Sequence, residues 1–112
     1  MTTTPLESIL YSRLGITKSQ LTVFCRRWHV AELALFGSVL TNKFQSNSDI
    51  DVLVTYQPES KRGLIEKAIM KEELEELVGR KIDLISKKAI EQSRNWIRRK
   101  NILETAKVFY VA

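Results

Sequence analysis

The apolar positions of the chain fall into two kinds of run. Leu21, Phe24, Cys25 and Trp28 recur at i, i+3, i+4 and i+7, the repeat that gathers side chains on one face of an α-helix. Thr17, with Gln20 three residues on, makes a capping box in front of that stripe, so a helix is predicted to start there. Cys25 on the stripe reads as a core residue. An earlier short helix is expected from Pro5, which suits a first helical turn, to about Leu14, with Gly15 ending it. From Arg62 to Val78 the positions Leu64, Ile65, Ala68, Ile69, Leu74, Leu77 and Val78 read as one more helical stripe. It lies opposite Lys67, Lys71, Glu72, Glu75 and Glu76, and Gly79 serves as C-cap. The glutamates from Glu72 to Glu76 read as a solvated face, with a protein contact as the alternative.

The other runs are shorter and continuous. Val30 to Phe36 stops at Gly37 and reads as a first strand, against the helix preference of Ala31, Glu32, Leu33 and Ala34. A brief helical turn is expected at Ser38, followed by the polar loop TNKFQSNS. Asp49 to Tyr56, closed by Pro58, reads as a second strand. In a third, Lys81 to Ile85, Ile82 and Leu84 point one way and Asp83 the other. Ser86 is placed to cap a helix starting near Lys87 and Asn95 to cap one carrying WIRRKNIL, while Val108 to Val111 fits a last strand or a helix end. Helices alternating with a few strands predict an α+β fold: a small mixed β-sheet flanked by helices.

At 112 residues the chain can build one hydrophobic core and is too short for two. Residues 1–112 are therefore expected to be a single domain, with Met1 to Thr4 as a frayed tail. A 44% hydrophobic and 28% charged composition belongs to a globular protein rather than a disordered one. The net charge of +5 favours a polyanionic partner or a nucleotide. No run approaches the roughly 18 apolar residues that would cross a bilayer, and no secretory pattern opens the chain, so a cytoplasmic protein is expected. One cysteine and one histidine leave no Cys/His set for zinc.

The chemistry concentrates in LFGSVLTNKFQSNSDIDVLVTY. Strand side chains alternate faces, so Asp49 and Asp51 project together, roughly 6.6 Å apart along the strand. Two carboxylates so placed repel unless a cation lies between them. Mg²⁺ fits, because it takes oxygen ligands and completes its shell with water and phosphate. If the third strand pairs beside the second, Asp83 lies about 4.8 Å across the sheet; otherwise it lies one strand further. Gly37 at a strand end lets backbone approach a ligand, and the N–H groups opening the next turn, with the Ser38 hydroxyl, suit a phosphate. Carboxylate-bound metal beside phosphate makes a nucleotide site.

GSVLTNKFQSNSDID resembles the G-S-x10-D-x-D signature of the nucleotidyltransferase superfamily with the polymerase-β-like fold, and GRKIDLIS is similar to its third-carboxylate strand. The resemblance runs from about Leu21 to Tyr110, and the short length resembles the minimal nucleotidyltransferase subfamily. It implies two Mg²⁺ ions held by Asp49, Asp51 and Asp83 as the catalytic carboxylates, with Gly37 and Ser38 as the phosphate-binding pair. Where many members carry an Arg and a Gly after Gly-Ser, this chain has Asn42, Lys43 and Phe44. Lys43 either takes the place of that Arg against the nucleotide or is a solvated loop lysine.

The subfamily's members are commonly antitoxins paired with HEPN ribonuclease toxins. The resemblance therefore implies transfer of AMP from ATP to a tyrosine hydroxyl of a cognate HEPN toxin. Its alternatives are an antitoxin that acts by binding alone, and transfer to a small molecule or an RNA end. RNWIRRKN, with Lys87, Lys88 and Arg94, can be read as an RNA contact with stacking on Trp96, as a toxin-docking surface, or as a solvated helix face with Trp96 and Ile97 turned inward. His29 reads as a turn or packing residue.

Overall fold

The computed structural model describes residues 5–58 and 63–112, and the expected tail at residues 1–4 and the helix start at Arg62 lie outside them. Ten residues, Pro5–Leu14, form α1, and Lys18–Arg27 form α2. The capping box ahead of α2 is closed in both directions: the Gln20 N–H donates to Thr17 Oγ1 at 3.1 Å, and the Thr17 N–H donates to Gln20 Oε1 at 2.9 Å. Exposed His29 turns the chain out of α2 with a φ of 54°, as a turn residue should.

Strands β1 (Val30–Phe36), β2 (Ile50–Tyr56), β3 (Ile82–Ser86) and β4 (Lys107–Val111) form one sheet in the order β3-β2-β1-β4. β1 runs antiparallel to β2 and to β4, whereas β2 and β3 are parallel, which makes the sheet mixed. The connection between the parallel pair is α3, Leu64–Val78. The short α4 (Lys87–Glu91) and then α5 (Trp96–Thr105) lead from β3 back to β4 on the opposite edge. Of the two readings for residues 108–111, the strand is the one formed. Ser86 stands at the cap position of α4 without a side-chain bond, while Asn95 Oδ1 accepts the Arg98 N–H at 3.1 Å and caps α5.

β1 overrides its helix-favouring residues because it is a central strand with both faces covered. Leu33 and Leu35 pack with Val52, Val54, Ile50, Ile82 and Leu84 against α1, α2 and α3, in a core that includes Leu10, Leu21, Phe24, Cys25, Met70 and Leu74. On the other face Ala34, Phe36 and Leu53 pack against Ile90 of α4 and Ile102 of α5. Burying both faces of a strand outweighs a per-residue helix preference of a few tenths of a kcal/mol.

The stripe expected along α3 is corrected. Leu64 and Ile65 are 88% and 75% exposed and Ile69 is 51% exposed, whereas Met70, absent from that stripe, is fully buried. At about 100° per residue, Leu64, Ile65, Ala68 and Ile69 share one side of the helix, and Met70, Leu74, Leu77 and Val78 share nearly the opposite one. Two stripes were merged into one, and only the second faces the sheet. The glutamates of α3 divide too. Glu73 accepts from Arg27 Nη1 at 3.0 Å and from Trp28 Nε1 at 2.9 Å, and Glu75 Oε2 accepts the Ile82 N–H at 2.9 Å at the start of β3. Among the described residues no helix is long and apolar enough to cross a membrane.

Candidate active site

β1 ends in a 3-10 turn, Gly37–Leu40, at the position where Ser38 was expected to start one. Gly37 has a φ of +78°, a region that favours glycine, and a Cβ built there would lie against Asp51 Oδ2. The side chain of Asp51 occupies the space that Gly37 leaves. Register explains the approach, because Phe36, the last residue of β1, pairs with Asp51.

On the other side of β2, Asp51 pairs with Asp83 in the parallel register. Facing residues share a side of the sheet, so the nearer of the two expected placements for Asp83 is the one found. Their side is the α5 side, since Asp51 alternates with Leu53 of that core. Phe36, Gly37, Asp51 and Asp83 form the floor of a cleft of about 590 Å³, walled by Asn95, Ile97, Arg98, Asn101 and Ile102 of the α5 segment.

Burial pushes the Asp51 carboxyl above its ordinary range. Asp83 and then Asp49 push it the same way, and Arg98 pulls it partly back. A carboxylate raised by burial and then by neighbouring acids in a cleft marks a candidate place for positive charge.

Asp49 lies one residue ahead of β2, is exposed, and is not part of the cleft lining; neither are Ser38 and Lys43. Among the described residues no three His, Cys, Asp or Glu side chains are gathered to metal-holding distance. A larger concavity of about 790 Å³ lies at the other end of the strands, around Tyr56, Ser86 and Val111, where Lys87 Nζ pairs with Glu32 at 3.3 Å. It lacks the facing pair of aspartates.

Backbone bonds on both sides hold Asp49 in place. Arg80 Nη1 donates to the carbonyls of Gln45, Ser46 and Ser48 at 2.9, 3.1 and 3.2 Å, and the Ile50 N–H donates to the Lys81 carbonyl at 3.0 Å. The Arg80 guanidinium also sits 4.4 Å from the centre of the Phe44 ring, with that of Arg13 at 5.4 Å. Arg13 Nη1 donates in turn to the carbonyls of Val39 at 2.7 Å and Thr41 at 2.6 Å. Phe44 is thus the anchor by which two arginines tie the turn after Gly37 to the loop before Asp49.

Sequence reasoning missed Arg98, Asn95 and Asn101 as cleft residues. Their spacing was the available signal, since residues three apart share a helix face. Trp96 and Ile97 are 61% and 57% exposed, which corrects the picture of both turned inward; Ile102 is the buried residue of α5.

The family described as "Nucleotidyltransferase domain" matches residues 18–109. "Putative protein adenylyltransferase MJ1379" of Methanocaldococcus jannaschii is 36% identical over 64 residues, which is 57% of this chain and 64% of that protein; the chain thus spans just under two thirds of this relative. Three solved structures share the fold. "Crystal structure of the toxin-antitoxin with AMP-PNP" aligns at a TM-score of 0.65 and 16% identity, covering 87% of this chain and 75% of that one. "Structure of putative minimal nucleotidyltransferase" aligns at 0.63 and 24%, covering 96% and 98%. "Crystal structure the toxin-antitoxin MntA-HepT" aligns at 0.56 and 16%, covering 84% and 69%.

Proposed function

Because the chain belongs to the nucleotidyltransferase domain family, we propose that it transfers AMP from ATP to a tyrosine hydroxyl of a partner HEPN ribonuclease toxin, and so acts as the antitoxin. The observation that carries this is the facing pair Asp51 and Asp83 on the cleft floor, beside a glycine whose missing side chain keeps Asp51 in reach. A relative named as an adenylyltransferase of proteins supports the acceptor class, and toxin-antitoxin structures on the same fold support the partner.

The donor set fits Mg²⁺: hard carboxylate oxygens on adjacent strands, on one side of the sheet and open to a cleft. Asp49, Asp51 and Asp83 would hold two ions, whose chemistry is to neutralise charge on the phosphates and on the entering and leaving oxygens. Gly37 and Ser38 take the phosphates, with Lys43 in the adjoining loop as a further cation. The acceptor oxygen forms a bond to the α-phosphorus, the bond from that phosphorus to the oxygen bridging to the β-phosphate breaks, and pyrophosphate leaves. The hydroxyl proton passes to the exposed carboxylate of Asp83.

Incubation with α-labelled ATP, Mg²⁺ and a HEPN partner tests this directly. Label on a partner tyrosine, lost with Asp83→Asn, is the expected result. A tight complex without label would mean neutralisation by binding, and label on RNA or a small molecule would mean a different acceptor.

A further inference from the structure

We propose that Arg98 is a nucleotide-binding residue whose guanidinium takes the non-bridging phosphate oxygens of the bound triphosphate from the α5 wall of the cleft. The inference rests on the nucleotidyl-transfer reading and adds to it a residue outside the Gly-Ser and carboxylate motif.

Three observations carry it. Arg98 lines the cleft together with Gly37, Asp51 and Asp83, so a ligand bound over the carboxylates meets it. Asp51 and Asp83 pair across adjacent strands on the floor of that cleft, so the Arg98 side chain shares it with both carboxylates. Yet among the described residues neither ion pair includes Arg98 and its guanidinium makes no hydrogen bond, while its backbone N–H donates to Asn95 Oδ1. The backbone is therefore fixed while the guanidinium is uncommitted. A surface arginine with that freedom is common. One that shares a cleft with two carboxylates suited to cations is placed for more, because cations there would cancel the pull of those carboxylates on it and leave it to an anion.

The released guanidinium then faces whatever anion arrives with the metal. Its planar fork matches two phosphate oxygens, which the point charge of a lysine does not. The start of α5 is suited to hold such a group still. Ser93 Oγ accepts the Asn95 N–H at 3.2 Å, and Arg99 Nη1 donates to the Ser93 carbonyl at 2.7 Å, so the turn before Arg98 is braced from both directions.

The opposed charges give a signature that a structural role would not. In Arg98→Gln, titration calorimetry with Mg²⁺ alone should show affinity equal to or tighter than wild type, since a competing cation has gone. Titration with the non-hydrolysable AMP-PNP in Mg²⁺ should show affinity weaker by about tenfold or more, the loss expected for a charge-assisted bond. Arg98→Lys should recover only part of it. AMP-PNP affinity within twofold of wild type in both variants would overturn the proposal, as would parallel weakening of Mg²⁺ and AMP-PNP binding, which indicates a disturbed fold. Should the wild-type protein itself take up no AMP-PNP, the nucleotidyl-transfer reading fails and this inference with it; a failure confined to the variants sinks the inference alone.

Discussion

Gly37 and Asp51 share one space: the side-chain atom that position 37 lacks would lie against the Asp51 carboxylate oxygen Oδ2. Two penalties coincide in Gly37→Ala, a φ of +78° that non-glycine residues resist and the displacement of Asp51. The strain should cost about 1–2 kcal/mol of stability. The larger effect falls on activity, where a shift of about 1 Å in a reacting group can lower rate on the order of 100-fold. Melting temperature and AMP transfer measured on the same sample check both; a variant as active as wild type would mean that Asp51 does not need that space.

Asp51 also ties stability to pH. Its folded carboxyl is raised above the ordinary 3.8, so the folded protein keeps that proton longer than the unfolded chain does. Stability from this group therefore falls as pH rises from about the ordinary value through the raised one, and the cost persists at neutral pH. Asp51→Asn removes it. The metal-free variant should melt above wild type at pH 7, with the gain vanishing below the ordinary carboxylate range. Added Mg²⁺ should raise the melting point of wild type and leave the variant nearly unmoved.

Cys25 is fully buried in the core, and burial pushes its thiol up to about 12. The reactive thiolate is thus almost absent at neutral pH. Labelling by a thiol reagent at pH 7 should proceed only through opening of the fold, with the labelled fraction tracking the denaturant unfolding curve. Rapid labelling of the native protein would contradict this.

What the sequence disclosed follows from how local each signal is. The capping box of Thr17 and Gln20, the Gly79 C-cap and the Asn95 cap involve residues three or four apart, and each formed as read. Gly37 and the strand bearing Asp51 were also legible, because alternation fixes which side chains share a face. The pairing of Asp83 with Asp51 was open between two distances, since strand order depends on where α3 carries the chain. The Phe44 anchor was out of reach. Arg13 and Arg80 converge on it from remote parts of the chain, and nothing in spacing announces that contact.

The misread stripe of α3 has a measurable consequence. Leu64 and Ile65 bury almost nothing, so Leu64→Lys and Ile65→Lys should each change stability by no more than about 0.5 kcal/mol. Met70→Ala, in the same helix but fully buried, should cost about 2–5 kcal/mol. Denaturant melts of the three variants decide which stripe faces the sheet.

Among the described residues Arg80 alone reaches the loop before Asp49 at three carbonyls, the last of them on Ser48, immediately before the aspartate. Removing it frees those acceptors to water and uncovers one side of Phe44, at a cost of about 1–2 kcal/mol. The functional cost should be separable from that. Asp49 would then be held mainly through Ile50, so a higher Mg²⁺ concentration should be needed for half-maximal transfer in Arg80→Ala, while the rate at saturating Mg²⁺ falls less. Arg80→Lys keeps the charge but loses the planar group that lies over Phe44, and should resemble the alanine variant more than wild type. A Mg²⁺ dependence identical to wild type in both would show that Arg80 serves stability alone.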